Sequence, residues 1–356
     1  MQQKLIKKTA VCSVIFCVIA MSIIIYMSKS KVITIEGIAQ DEVSDVTVAK
    51  ETDTVESVKK NLIFQLGEAD SSYLRIPLPE GCKADDIMIE NHYMDKELWV
   101  FVPVTEEDFY LKNLISGNRE AVEQGIYDYV EGGVALNFRL TGIYECRTIL
   151  ENENLYISFL MPGEMYDRII VIDPACGGEE SGITAEDQRE KDITLQIARK
   201  LKMKLDESDI KAYYTRMDDV SSADENRVEL GNETKADMYI RIEVNEDADS
   251  KVYGITAVYN GDYFIPGFGN IELADSLERE VTTSVKGKAL GLVKADGDDR
   301  VLLGLTVPAA AIKVGFLSNS QEAILLGREE YADKIAEGIY NAITKIYEES
   351  SGKQGR

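Results

Sequence analysis

Histidine is almost missing from this chain: 356 residues contain one, His92. No imidazole exists anywhere from residue 93 to residue 356, so no His-ligated zinc centre can form in that stretch. Positive charge is also short. Lys and Arg total 39 against 63 Asp and Glu, a net charge of −24, with a pI near 4.5. A surface of that sign repels phosphates, which excludes nucleic acid as a partner and argues against a peripheral grip on anionic lipid. A disulfide framework is lacking too. Of five cysteines, Cys12 and Cys17 fall in an apolar run, and Cys82, Cys146 and Cys176 are scattered and odd in number, so at least one thiol stays free. There is no internal repeat. Hydrophobic residues, at 45%, are ample for a well-filled core.

The one long uncharged run is "TAVCSVIFCVIAMSIIIYM", Thr9 to Met27. Its length suits a membrane-spanning helix, and no small-x-small cleavage site follows it. The expectation is an uncleaved anchor over residues 9–27, with a cleaved signal peptide as the alternative. Lys4, Lys7, Lys8 and the terminal amine precede the span, against Lys29 and Lys31 after it, which favours the N-terminus inside. The protein is then a single-pass protein of the cell membrane with its C-terminal domains extracytoplasmic.

Four regions follow: a cytoplasmic stub and anchor at 1–31, an acidic tether at 32–61, a β-rich module at 62–165 and an α/β domain at 166–356. The tether opens on a strand-like "KVITIEGIA". In the module, "YLRIPLP", "DDIMIENHYM", "ELWVFVPV", "GVALNFRL" and "NLYISFLMP" read as strands, and "NREAVEQGIYDYV" as a helix. His92 lies in a turn-like Asn91-His92-Tyr93 stretch, a surface or partly packed ring with no second His to make it a ligand. The last region alternates. "EKDITLQIARKLKMKLDES" carries an apolar stripe at Ile193, Ile197, Leu201 and Leu205, while "DMYIRIEVNED" and "AAAIKVGFLSN" read as strands. Asn319 caps a final helix running unbroken through "SQEAILLGREEYADKIAEGIYNAITKIYEES". The fold class is α/β: a central, largely parallel or mixed sheet flanked by helices, preceded by a small β-rich domain and a transmembrane helix.

Chemistry is concentrated in "RIIVIDPACGGEESG", Arg168 to Gly182, where a buried strand breaks at Asp173-Pro174 into Cys176 and a glycine pair. With "EKDITLQIARKLKMKL", "YYTRMDDV", "NRVELGNETKADMYIRIEVN" and "VPAAAIKVGFLSNSQEAILL" in that order, residues 168–348 resemble the zinc-dependent N-acetylmuramoyl-L-alanine amidases. These are cell-wall hydrolases that cut the amide between the lactyl group of muramic acid and the stem peptide. The resemblance implies zinc ligands at the positions of Cys176, Glu190 and Glu243, and a general acid/base at the position of Lys313. Only Glu190 keeps the family's residue type.

Two departures bear on chemistry. A Cys176 thiolate with Glu190 and Glu243 would be a three-anion donor set unlike a His-Glu-His site. Lys313, as an ammonium, can neither take a proton from water nor sit comfortably beside a dication. The expectation is an ion-pair cluster of Glu190, Glu243 and Lys313, with no metal and no cofactor, in a protein that binds peptidoglycan or a cell-envelope partner without catalysis. Blander readings give Cys176 as a small buried residue, Glu190 as a helix-dipole acid and Lys313 as a cross-strand partner of Glu243. The alternatives are an active peptidoglycan amidase with an atypical Zn2+ site, and a purely structural envelope scaffold.

Overall fold

The computed structural model describes residues 60–354, apart from 62–63, 66–71, 107, 118–119 and 186. The expected anchor over 9–27, the lysine-based orientation and nearly all of the tether, including "KVITIEGIA", lie outside the described residues. Among the described residues no helix is long and apolar enough to cross a membrane.

The β-rich region is built from two five-stranded sheets. In one, Met88–His92, Glu97–Val102, Gly133–Leu140 and Val122–Val130 pair antiparallel in that spatial order, with Lys60–Asn61 at the edge. In the other, Leu74–Pro77 lies between Ile115–Gly117 and Asn154–Leu160, and Glu145–Glu151 follows. Leu98, Val100, Leu136 and Phe138 from the first sheet meet Leu74, Ile76 and Ile157 from the second in a shared core. The stretch expected to be helical at "NREAVEQGIYDYV" is instead the strand Val122–Val130. Its β-branched and aromatic residues fit a pleated surface. A turn at Glu131-Gly132, with Gly132 at φ +88°, returns the chain onto it as a hairpin.

The α/β domain carries a six-stranded sheet. Its strands are β1 (Ile169–Pro174), β2 (Lys211–Tyr214), β3 (Met238–Asn245), β4 (Ile255–Tyr259), β5 (Ala289–Lys294) and β6 (Ala309–Phe316), in spatial order β2-β1-β3-β6-β4-β5. All neighbours are parallel except β4, which runs against β6. Helices α1 (Glu190–Leu205), α2 (Asp224–Glu233), α3 (Asn270–Val285), α4 (Arg300–Gly304), α5 (Ser320–Leu326) and α6 (Glu329–Gln354) cover its faces. Ile193, Ile197 and Leu201 of α1 join Leu277 of α3 and Ile339 of α6 over Ile170, Ile240 and Ile312 on one face. Tyr239, Ala311, Leu230 of α2 and Leu302 of α4 fill the other. The sequence reads the tail as one helix, but it breaks at Gly327-Arg328. Asn319 caps the short α5, accepting from the Gln321 and Glu322 amides. A new helix then starts on the acidic pair Glu329-Glu330, which the helix dipole favours.

Candidate functional site

All six residues of β1 are buried, and the chain leaves the sheet through a run of left-handed residues. Cys176 has φ +62°, Gly177 +138° and Gly178 +59°. A β-carbon on Gly177 would meet the Val220 carbonyl oxygen at 2.3 Å, and one on Gly178 would meet Ser221 Oγ at 2.3 Å. The glycine pair is therefore required by close approach as well as by φ. Asp219 clamps the turn, accepting from the Gly178 amide (2.8 Å) and from Lys191 Nζ (2.7 Å). The Arg216 guanidinium closes it from below, donating to the carbonyls of Pro174, Ala175 and Lys191, each at 2.9 Å.

Beneath the turn runs a chain of alternating charges across three adjacent strands. Asp173 on β1 is wholly buried. It accepts from Arg227 of α2, from Thr215 Oγ1 (2.6 Å) and from Arg241 Nη1 of β3 (3.1 Å). Burial alone would raise the Asp173 carboxyl, but Arg241 and Arg227 outweigh it and hold the group below the ordinary aspartate range. Arg241 Nε then donates to Glu243 Oε1 at 2.6 Å. Lys313 Nζ, from the register partner of Glu243 on β6, stands 3.6 Å from Glu243 Oε2.

Glu190 is held differently. At the head of α1 its two carboxylate oxygens each accept a backbone amide at 3.0 Å, from Val244 and from Ile183. It is therefore not a third member of an ion-pair cluster. Lys313 reaches Glu243, and the partner that the sequence reading missed, Arg241, completes the pairing. Burial pushes the Glu190 carboxyl above its ordinary range. The two amide bonds oppose this, nearby Glu243 adds to it, and Lys313 counters it. Cys176 lies beside Glu190, since a side chain on Gly182 would touch both Cys176 Sγ (2.7 Å) and Glu190 Oε2 (2.5 Å). Burial, then the Glu190 charge, pushes the Cys176 thiol up to about 12, so it stands as a neutral thiol at physiological pH.

These residues do not fit a zinc ion. Zinc wants deprotonated donors with free lone pairs. Glu243 is already bound by two cations, and both Glu190 oxygens are turned towards backbone amides. A dication placed beside Glu243 would also face Lys313 and Arg241. Among the described residues, no three His, Cys, Asp or Glu side chains converge as metal ligands would. His92 ends its strand rather than lying in a turn, and its Nε2 is 3.3 Å from Glu90 Oε2. Arg241 had a sequence signal: in "MYIRIEVN" strand alternation puts it on the same face as Glu243. Buried Glu322, downstream of "VGFLSN", ties the Phe316 (2.8 Å) and Gly254 amides together and holds the end of β6.

A family model described as N-acetylmuramoyl-L-alanine amidase matches residues 170–345. The germination-specific N-acetylmuramoyl-L-alanine amidase of Bacillus subtilis is 31% identical over 196 residues, which cover 51% of this chain and 81% of that protein. The chain belongs to the N-acetylmuramoyl-L-alanine amidase family. A probable cell wall amidase of Staphylococcus aureus is 27% identical over 51% of this chain and 58% of its own length. Among solved structures, an N-acetylmuramoyl-L-alanine amidase from Clostridium difficile 630 matches with a TM-score of 0.48 and 30% identity, over 51% of this chain and 97% of that one. Residues 170–345 thus form a peptidoglycan amidase-like domain, and the β-rich region precedes the matched segment.

Proposed function

We propose that this chain is a membrane-anchored, catalytically silent member of the amidase family that binds peptidoglycan or a protein of the cell envelope. The observation that carries this reading is Lys313. It stands at the position where family resemblance puts the acid/base carboxylate, and its ammonium lies 3.6 Å from Glu243. Hydrolysis needs a group there that takes a proton from water and hands it to the leaving nitrogen, and a protonated amine takes none. The Arg241 and Lys313 charges satisfy Glu243, so the pocket is neutralised by side chains alone. The anchor rests on the uncharged run Thr9 to Met27.

The test uses the full chain in detergent with added zinc, on peptidoglycan carrying labelled stem peptide. The expected outcome is co-sedimentation with the wall or capture of an envelope protein, zinc at background after dialysis, and no released label. Stoichiometric zinc with release abolished by a chelator would overturn the proposal. Deleting residues 1–27 should move the chain from the membrane to the soluble fraction.

A further inference from the structure

The chain's only tryptophan and only histidine lie together, far in sequence from the amidase-like site. Both are on the outward side of the first five-stranded sheet of the β-rich region. Register fixes a grid there. Glu90, Trp99 and Asn137 face one another across three neighbouring strands, His92 lies opposite Glu97 in the next row, and Phe101 flanks the other side. None of these six is buried, whereas the alternate residues Leu98, Val100, Leu136 and Phe138 fill the core. A solvent-facing sheet ordinarily carries short polar or charged residues. A tryptophan and a phenylalanine at the centre of one call for an explanation.

The aromatic ring is also held in place. Trp99 Nε1 donates to Glu97 Oε2 at 2.8 Å, and Asn137 Nδ2 donates to the same oxygen at 2.9 Å. The His92 ring lies against the indole with centroids 5.1 Å apart. The indole is thus fixed by its one polar atom, its ring tied to the sheet surface and flanked by hydrogen-bonding side chains. An anchor ordered in advance loses little entropy on binding. Glu90 is 43% exposed and His92 39%, so polar groups are open to a ligand beside the ring.

We propose that this sheet face is a binding platform for a polysaccharide of pyranose units. The apolar C–H face of such a ring stacks on indole, while its equatorial hydroxyls seek carboxylate and amide partners in the same plane. Neighbouring strands lie about 4.8 Å apart, close to the length of one sugar unit, so the row Glu90–Trp99–Asn137 is spaced for successive units. The carboxylates Glu90 and Glu97 repel a polyanion, and the polar groups between the rings suit a hydroxylated ligand better than a dry apolar protein contact. This platform does not depend on the amidase-like site being silent, because it shares no residue with it.

The sole tryptophan makes the test direct. The full chain, in a non-glycosidic detergent, is titrated with the β-1,4-linked hexamer of N-acetylglucosamine while tryptophan emission is followed. The expected result is a saturable change in emission that is lost in the Asn137→Ala/Glu90→Ala variant, which keeps the reporter. Calorimetry on Trp99→Ala should show affinity weakened by at least about tenfold, as removal of a central aromatic anchor does. Unchanged circular dichroism in both variants guards against misfolding. No change in the wild-type chain up to saturating hexamer would overturn the proposal. So would a change that survives in the Asn137→Ala/Glu90→Ala variant, or a response only to a protein ligand.

Discussion

Asp173 has no solvent exposure and takes two guanidinium groups and a hydroxyl. Asp173→Asn would leave Arg227 and Arg241 partly unpaired in the interior, a loss of about 3–5 kcal/mol for breaking a buried pair. Urea unfolding at pH 7 should show it. The folded Asp173 carboxyl sits below its ordinary value of 3.8. Its contribution is therefore full above that value and is lost as the pH falls through the depressed one. The gap between wild type and variant should narrow only in strong acid. At the site itself, the single residues that separate this chain from its family's ligand set can be put back. Cys176→His, Glu243→His and Lys313→Glu together should give a domain that retains zinc through dialysis, with the parent expected at background in the same metal analysis. Lys313→Glu alone should not, because both histidine donors are still missing and Arg241 still holds Glu243.

Helix contacts set the next scale. Gly338 of α6 meets α3 so closely that a β-carbon would fall 2.6 Å from Val281 Cα. Glycine-to-alanine inside a helix ordinarily gains up to about 1 kcal/mol. Here backbone is the obstacle, and overpacking costs about 1–3 kcal/mol. Gly338→Ala should lower the thermal midpoint, which calorimetry would record. Asn319→Ala removes a side chain that accepts two amides at the start of α5 and should cost about 1 kcal/mol. The break at Gly327-Arg328 shows why that helix could not be read as one with α6. The apolar pattern continues across it, but Gln188 packs where a Gly327 side chain would go, a contact no local pattern reports. At the free edge of the sheet, Lys288 precedes β5 and Lys294 ends it, the pairing with β4 is bulged, and the Gly291 amide turns back to Glu278 at 2.8 Å. Such bulged, lysine-flanked strands resist pairing with other chains.

Across the whole molecule, the β-rich region and the α/β domain are welded rather than strung. Buried Glu145 takes the Tyr213 hydroxyl (2.6 Å), the Tyr93 hydroxyl (3.0 Å) and Lys211 Nζ (2.8 Å). Lys96 bridges to Glu229 (2.8 Å) and Glu233 (2.7 Å) of α2. Ile143 sits in the same core cluster as Tyr239 and Leu230. One cooperative unfolding transition is expected for the wild type. Glu145→Ala leaves Lys211 without its carboxylate and should split the transition in two by calorimetry. If the variant still unfolds in a single step, the Lys96 bridges and the apolar contact around Ile143 suffice to couple the two regions.

Local chemistry decided much of this protein. The strand-turn at Asp173-Pro174, the stripe of α1 and the "VGFLSN" turn are short-range patterns. They sufficed to name the α/β class and the family. Partner choice was not written locally. Glu243 pairs with Arg241 and Lys313 because strand register puts them on one face. Glu190 turns to backbone amides because the head of α1 lies against the end of β3. Likewise Val122–Val130 is a strand because a neighbouring strand pairs with it, and the sheet face around Trp99 exists only once three strands are side by side. Residue type follows from sequence alone, but the energy of a charge or an extended segment depends on what lies across from it, and only the folded chain sets that.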